Sequence, residues 1–161
     1  MKTINIPEMR KEVMAVVESN RDKITSLEAA EDNSMFTFCG ENYVFEVTLS
    51  DTWLGYDFII ETPKGSMYCG MENNTSGQMQ EEAVIGIYEE LLKTVRAIFS
   101  GNLYFRADDR TSYIAIKNDN GTYTVDFSER KKFLLFFYSS GWFNREFTQS
   151  DFEKLGLQPL M

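Results

Sequence analysis

Between Lys23 and Gly70 apolar residues recur at every second position, and no other feature restricts the fold of this chain so strongly. Tyr43, Phe45, Val47 and Leu49 alternate with Val44, Glu46 and Thr48; Tyr56, Phe58 and Ile60 alternate with Asp57, Ile59 and Glu61. A period of two sends one set to a buried sheet face and the other set to the opposite face. Met35-Phe36-Thr37-Phe38 and Ser66-Met67-Tyr68-Cys69 read as further strands. The turn-forming clusters Glu31-Asp32-Asn33-Ser34, Gly40-Glu41-Asn42 and Pro63-Lys64-Gly65 separate these runs. Strands so closely spaced leave no room for crossover helices, so the reading is an antiparallel meander with one buried face.

Two segments of helical period interrupt the strands. From about 7 to 20, Met9, Val13, Val16 and Val17 form one stripe opposite Glu8, Arg10, Lys11, Glu12 and Glu18, and Pro7 suits the first turn. From about 78 to 100, Val84, Ile87, Leu91, Val95 and Ile98 share a face. There Thr75-Ser76-Gly77-Gln78 fits a capping box and Gly101 a stop. Strands then resume at Leu103–Arg106, Tyr113–Lys117 and Thr122–Phe127, the last two joined by the hairpin signal Asn118-Asp119-Asn120-Gly121. Phe133–Tyr138 is apolar on both faces and reads as a central strand. Thr148 caps a short C-terminal helix that Gly156 ends.

The expected fold class is therefore α+β. One domain, residues 1–161, carries antiparallel meander sheets with two main helices packed on one face and a short third helix. Helix then meander occurs twice, which would divide the chain into halves 1–74 and 75–161, but residue-level similarity is too poor to establish a repeat.

Composition removes whole classes of chemistry. Among 161 residues there is no His, so no Ser-His-Asp or Cys-His pair and no imidazole base. Two cysteines cannot build a four-thiolate zinc site, and Cys39 and Cys69 read as reduced thiols. A net charge of −9 argues against direct nucleic-acid binding. The N-terminus lacks the apolar core of a secretion signal and no run reaches membrane-spanning length, which points to the cytoplasm. Aligning Gly121 with the glycine of a calcium loop puts Ile116 and Phe127 where carboxylates are required, so that reading fails. Asp108-Asp109-Arg110 suits a turn better than an acid pair, because neighbours on a strand face opposite ways. Neither a phosphate loop nor a nucleophile elbow is present. No catalytic residue, metal site or cofactor is indicated.

The charge is unevenly spread. Residues 28–90 hold thirteen acidic residues against Lys64 alone, a net of −12, whereas residues 1–27 net +1 and residues 91–161 net +2. Ordinary solvated surfaces intersperse both signs. If the alternation holds, Glu46, Asp57 and Glu61 share one exposed surface, with Glu41, Asp51 and Glu72 near its ends and Trp53 beside it as an aromatic anchor. These seven residues are the candidate partner-binding set. They suggest a non-enzymatic inhibitor, comparable as a class to immunity proteins or phage anti-defence proteins, that blocks a basic partner such as a toxin, nuclease or defence effector. Alternatives are a secretion-chaperone-like partner protein, and a small-ligand-binding domain or enzyme with an aromatic-lined pocket.

Overall fold

A computed structural model describes residues 5–50, 55–71, 81–108, 111–133, 136–140 and 145–161. At 50, 69–71, 81–83, 126–133, 136–140 and 145 the description is of the backbone. The fold is α+β, with two antiparallel sheets, two main helices and a short third one. The chain forms two compact units, Met1–Ile60 with Tyr68–Arg96 and Glu61–Met67 with Ala97–Met161.

In the first unit, helix α1 (Ile6–Glu18) starts where Asn5 accepts the Glu8 amide and Pro7 occupies the first turn. It buries Val13, Met14 and Val17. A 3-10 turn at Arg21–Lys23 leads to β1 (Ser26–Ala29), followed by β2 (Met35–Cys39), β3 (Val44–Ser50), β4 (Gly55–Thr62) and β5 (Gly65–Met71). These five strands lie side by side in chain order, as a meander requires. Helix α2 (Glu81–Phe99) follows, burying Val84, Ile87, Leu91, Val95 and Ile98 at the expected spacing. The capping box proposed at 75–78 lies outside the described residues.

Alternation decides which face of this sheet is dry. Phe36, Phe38, Tyr43, Phe45, Val47, Leu49, Tyr56, Phe58 and Ile60 are all buried. Phe38 faces Phe45 across the β2–β3 ladder, and the ring centroids of Phe45 lie 5.1 Å from Phe38 and 5.3 Å from Phe58. Tyr43 meets Phe38 edge-on and lies over Gly40, where a Cβ would come within 2.0 Å of its ring. Any larger residue at 40 would push that ring out of the core. The Tyr43 hydroxyl finds no hydrogen-bond partner among the described residues, and burial, helped by nearby Cys39, raises its pKa to about 12.

Among the described residues one charged side chain enters this core, from a position the helical stripe had placed on the polar face. Arg10 is 5% exposed; its guanidinium donates to the Leu49 carbonyl at 3.1 Å and to the Asp32 carboxylate at 3.3 Å. A buried cation is tolerable only with such partners.

The second unit is built on strands in the order β10-β8-β7-β6-β11, with β9 paired to β8 off that path. These are β6 (Leu103–Ala107), β7 (Thr111–Lys117), β8 (Tyr123–Phe133), β9 (Phe136–Ser140), β10 (Arg145–Phe147) and β11 (Gln158–Pro159). The β7–β8 turn is the expected hairpin, with Gly121 at φ +82. The Asp108 side chain accepts the Thr111 amide; Asp109 and Arg110, where a turn is expected, lie outside the described residues. Helix α3 (Gln149–Glu153) is capped by Thr148, and Gly156 follows at φ +66. Its Phe152 stacks on Tyr123 at 3.8 Å, beside Tyr104.

Phe133–Tyr138 is not one central strand. Phe133 pairs with Phe136 and Lys132 with Phe137, so the chain reverses inside the apolar run. Arg130, Lys131 and Lys132 lie within β8. A continuous apolar run has no period, and therefore gives no sign of a turn.

Candidate functional site

With one face of the first sheet buried, the odd-man positions of each strand define its other face. On β3, Val44 and Glu46 are half-buried and Thr48 is exposed; on β4, Asp57 and Ile59 are half-buried. The register puts Glu46 opposite Thr37 and Thr37 opposite Glu28, so two carboxylates lie in one row across three strands. Asp57 occupies the same face on the next strand. Met35 and Tyr68, each 50% exposed, lie on that face too: Met35 alternates with buried Phe36, and Tyr68 with buried Met67. The outer face thus mixes carboxylates with large apolar side chains.

Of the seven candidate residues, Glu46 and Asp57 share this face. Glu41 is exposed in the β2–β3 turn. Glu61 is exposed near the end of β4, in the segment that belongs to the second unit. Asp51, Trp53 and Glu72 lie outside the described residues. Sequence reasoning missed Glu28, Met35 and Tyr68. Glu28 stands in a strand with a single large apolar residue, Leu27, so no alternation announced it. Met35 and Tyr68 lay within strands already recognised, and the same alternation that exposed Glu46 would have exposed them.

Among the described residues, none of Glu28, Glu41, Glu46, Asp57 or Glu61 belongs to an ion pair, and the same holds for Glu12, Glu18, Asp22, Glu31, Glu89, Glu90 and Asp119. Three carboxylates elsewhere are more firmly engaged. Hydrogen bonds from the Ser34 hydroxyl and amide, with Arg10 nearby, lower the Asp32 pKa. The Thr122 hydroxyl and the Asn120 amide lower that of Glu146. Lys154 and Thr148 lower that of Asp151.

Among the described residues no three His, Cys, Asp or Glu side chains are grouped to hold a metal ion. No helix there is long and apolar enough to cross a membrane. The aromatic residues of the first unit are packed ring on ring. Compared with known protein families, with characterised proteins and with solved structures, the chain matches none.

Proposed function

We propose that this protein is a non-enzymatic inhibitor that binds a basic protein through the outer face of its first sheet. The reading belongs with immunity proteins and phage anti-defence inhibitors by class of action, not by kinship. One observation carries it: Glu28, Glu46 and Asp57 share a face with half-exposed Met35 and Tyr68, and no cation pairs with those carboxylates among the described residues. Glu28 and Glu46 stand two strands apart, about 10 Å, so their fields add over one face. A basic partner is steered in by that field and finds apolar side chains to bury.

The test is affinity capture from host extract at low salt, with the wild type and the Glu46→Lys/Asp57→Lys double variant as baits. A basic protein held by the wild type, released by salt, missing from the variant and losing its own activity when the wild type is added supports inhibition. Identical captures on both baits overturn it.

A second reading, a secretion-chaperone-like partner protein, is favoured by the order of the first unit. There a five-strand meander is followed by α2, a helix of 19 residues, longer than anything the end of the chain provides. In that case the captured partner keeps its activity and is bound through a segment that is unfolded on its own.

A further inference from the structure

Among the described residues, the outer face ends at a strand paired on one side only. β1 stands at the end of the first sheet, and among the described residues β2 alone pairs with it. The Ala30 amide donates to the Met35 carbonyl at 2.8 Å, which fixes the phase of the ladder. In an antiparallel pair every second residue exchanges hydrogen bonds with its partner, so Glu28 bonds with Thr37, and Leu27 and Ala29 turn their N–H and C=O groups away from β2. The side chains alternate in step. Leu27, opposite buried Phe38, belongs to the core face, whereas Glu28 belongs to the outer face.

Native sheets blunt such edges by keeping them very short, or with a bulge, lysine, proline or an inward charge. Ser26–Ala29 is short, which limits an added strand to a few bonds, but it carries no lysine, proline or inward charge, and its one charge is the outward Glu28. We infer that β1 is a docking strand: an extended segment of the basic partner adds to the first sheet beside β1, apolar residues next to Leu27 and Ala29 and a lysine or arginine opposite Glu28. This rests on the outer face being the partner surface, and specifies how the partner meets it. Main-chain hydrogen bonds supply affinity and the alternating side chains supply selectivity. The cation lies about 5 Å from Glu28 between Cβ atoms, the distance of any cross-strand pair, at one end of the row that continues through Thr37 to Glu46. Arg21 and Lys23 precede β1 and are exposed, so further cations on the segment are unfavourable at that end.

Charge also decides against a second copy of this chain. Two β1 strands pairing antiparallel through Leu27 and Ala29 would set Glu28 directly opposite its own counterpart, and like charges so placed repel.

The test uses synthetic peptides of about eight residues that alternate valine and lysine with blocked ends, a length set by the short strand plus one residue pair on each side. Binding to the whole protein is read by fluorescence anisotropy at low salt. In the bound arrangement the valine N–H groups point at β1 and the lysine N–H groups point to solvent. N-methylation of the valines is therefore expected to weaken binding by about tenfold or more, while N-methylation of the lysines leaves it within about twofold. A peptide with glutamate for lysine does not bind. On the protein, Leu27→Pro removes an N–H that β2 does not use and lowers affinity by about tenfold; should that variant fail to fold, the two methylated peptides on the wild type decide.

Equal binding of the two methylated peptides overturns the docking strand. If that equal binding is lost on Glu46→Lys/Asp57→Lys, the acidic face survives and the edge does not. Insensitivity to both the methylation and the charge reversals removes the two together.

Discussion

The two units differ in how many of their carboxylates find partners. In the second, Asp108 is engaged with Arg106, Asp151 with Lys154, and Glu146 with Asn120 and Thr122, while Glu61 and Asp119 form no ion pair among the described residues. In the first unit Arg10 and Asp32 pair, but Glu28, Glu46 and Asp57 do not. The buried faces differ less, since both are aromatic and both stack rings. Stability on each side thus comes mainly from the apolar face, to which exposed ion pairs add little.

The largest expected effect tests the apolar side of that contrast. Phe45→Ala, at the centre of the Phe38–Phe45–Phe58 row, should cost about 3–5 kcal/mol in urea unfolding. A loss under about 1 kcal/mol would mean the row is not the support of the first sheet. Gly40→Ala should cost about 1–3 kcal/mol, because its methyl group and the Tyr43 ring claim the same space.

Smaller effects probe the polar side. Tyr43→Phe removes a buried hydroxyl without a partner and should leave stability unchanged or raise it by up to about 1 kcal/mol. It should also abolish an alkaline loss. The folded-state pKa, about 12, lies above that of the unfolded chain, so unfolding is favoured once pH passes about 10 and the unfolded tyrosine ionises. Glu46→Lys with Asp57→Lys should change stability by no more than about 0.5 kcal/mol per site, while abolishing the partner binding proposed above. A large loss would show these carboxylates to be structural and would erase the contrast.

Acid provides the finest test. Asp32, Glu146 and Asp151 have folded pKa values below their ordinary ones, so each contributes stability at neutral pH. That contribution shrinks as pH falls below the ordinary carboxylate range, about 4, and is gone below the folded values. Thr122→Val removes the main donor to Glu146; a carbon-detected titration should then show that carboxyl returning toward its ordinary pKa.

How far the sequence could be read depended on one-sided burial. Where a strand or helix has one dry face, periodicity reveals it: α2, β3 and β4 appeared with their buried residues as expected, whereas on α1 Arg10 and Met14 are buried and Met9 and Val16, expected in the stripe, are only half-buried. Three features were hidden. β1 has only Leu27 to bury, as an edge strand can. The reversal between Phe133 and Phe136 is concealed by apolar residues on both sides of it. Register was not encoded in any local pattern, and register is what aligns Glu28 with Thr37 and Glu46. Hence the sequence indicated that this face is acidic, but not that its row of carboxylates reaches an open edge.

Arg10 has one more consequence. The Leu49 amide donates to the Ser34 carbonyl at 2.7 Å, and the Leu49 carbonyl is held by the Arg10 guanidinium from α1. Both polar groups of one peptide residue are therefore clamped by different parts of the chain. Deuterium reaches the Leu49 amide when its bond to Ser34 opens, and the helix clamp on the adjoining carbonyl restrains that opening, so Arg10→Ala should speed exchange at Leu49 more than at strand ends remote from α1.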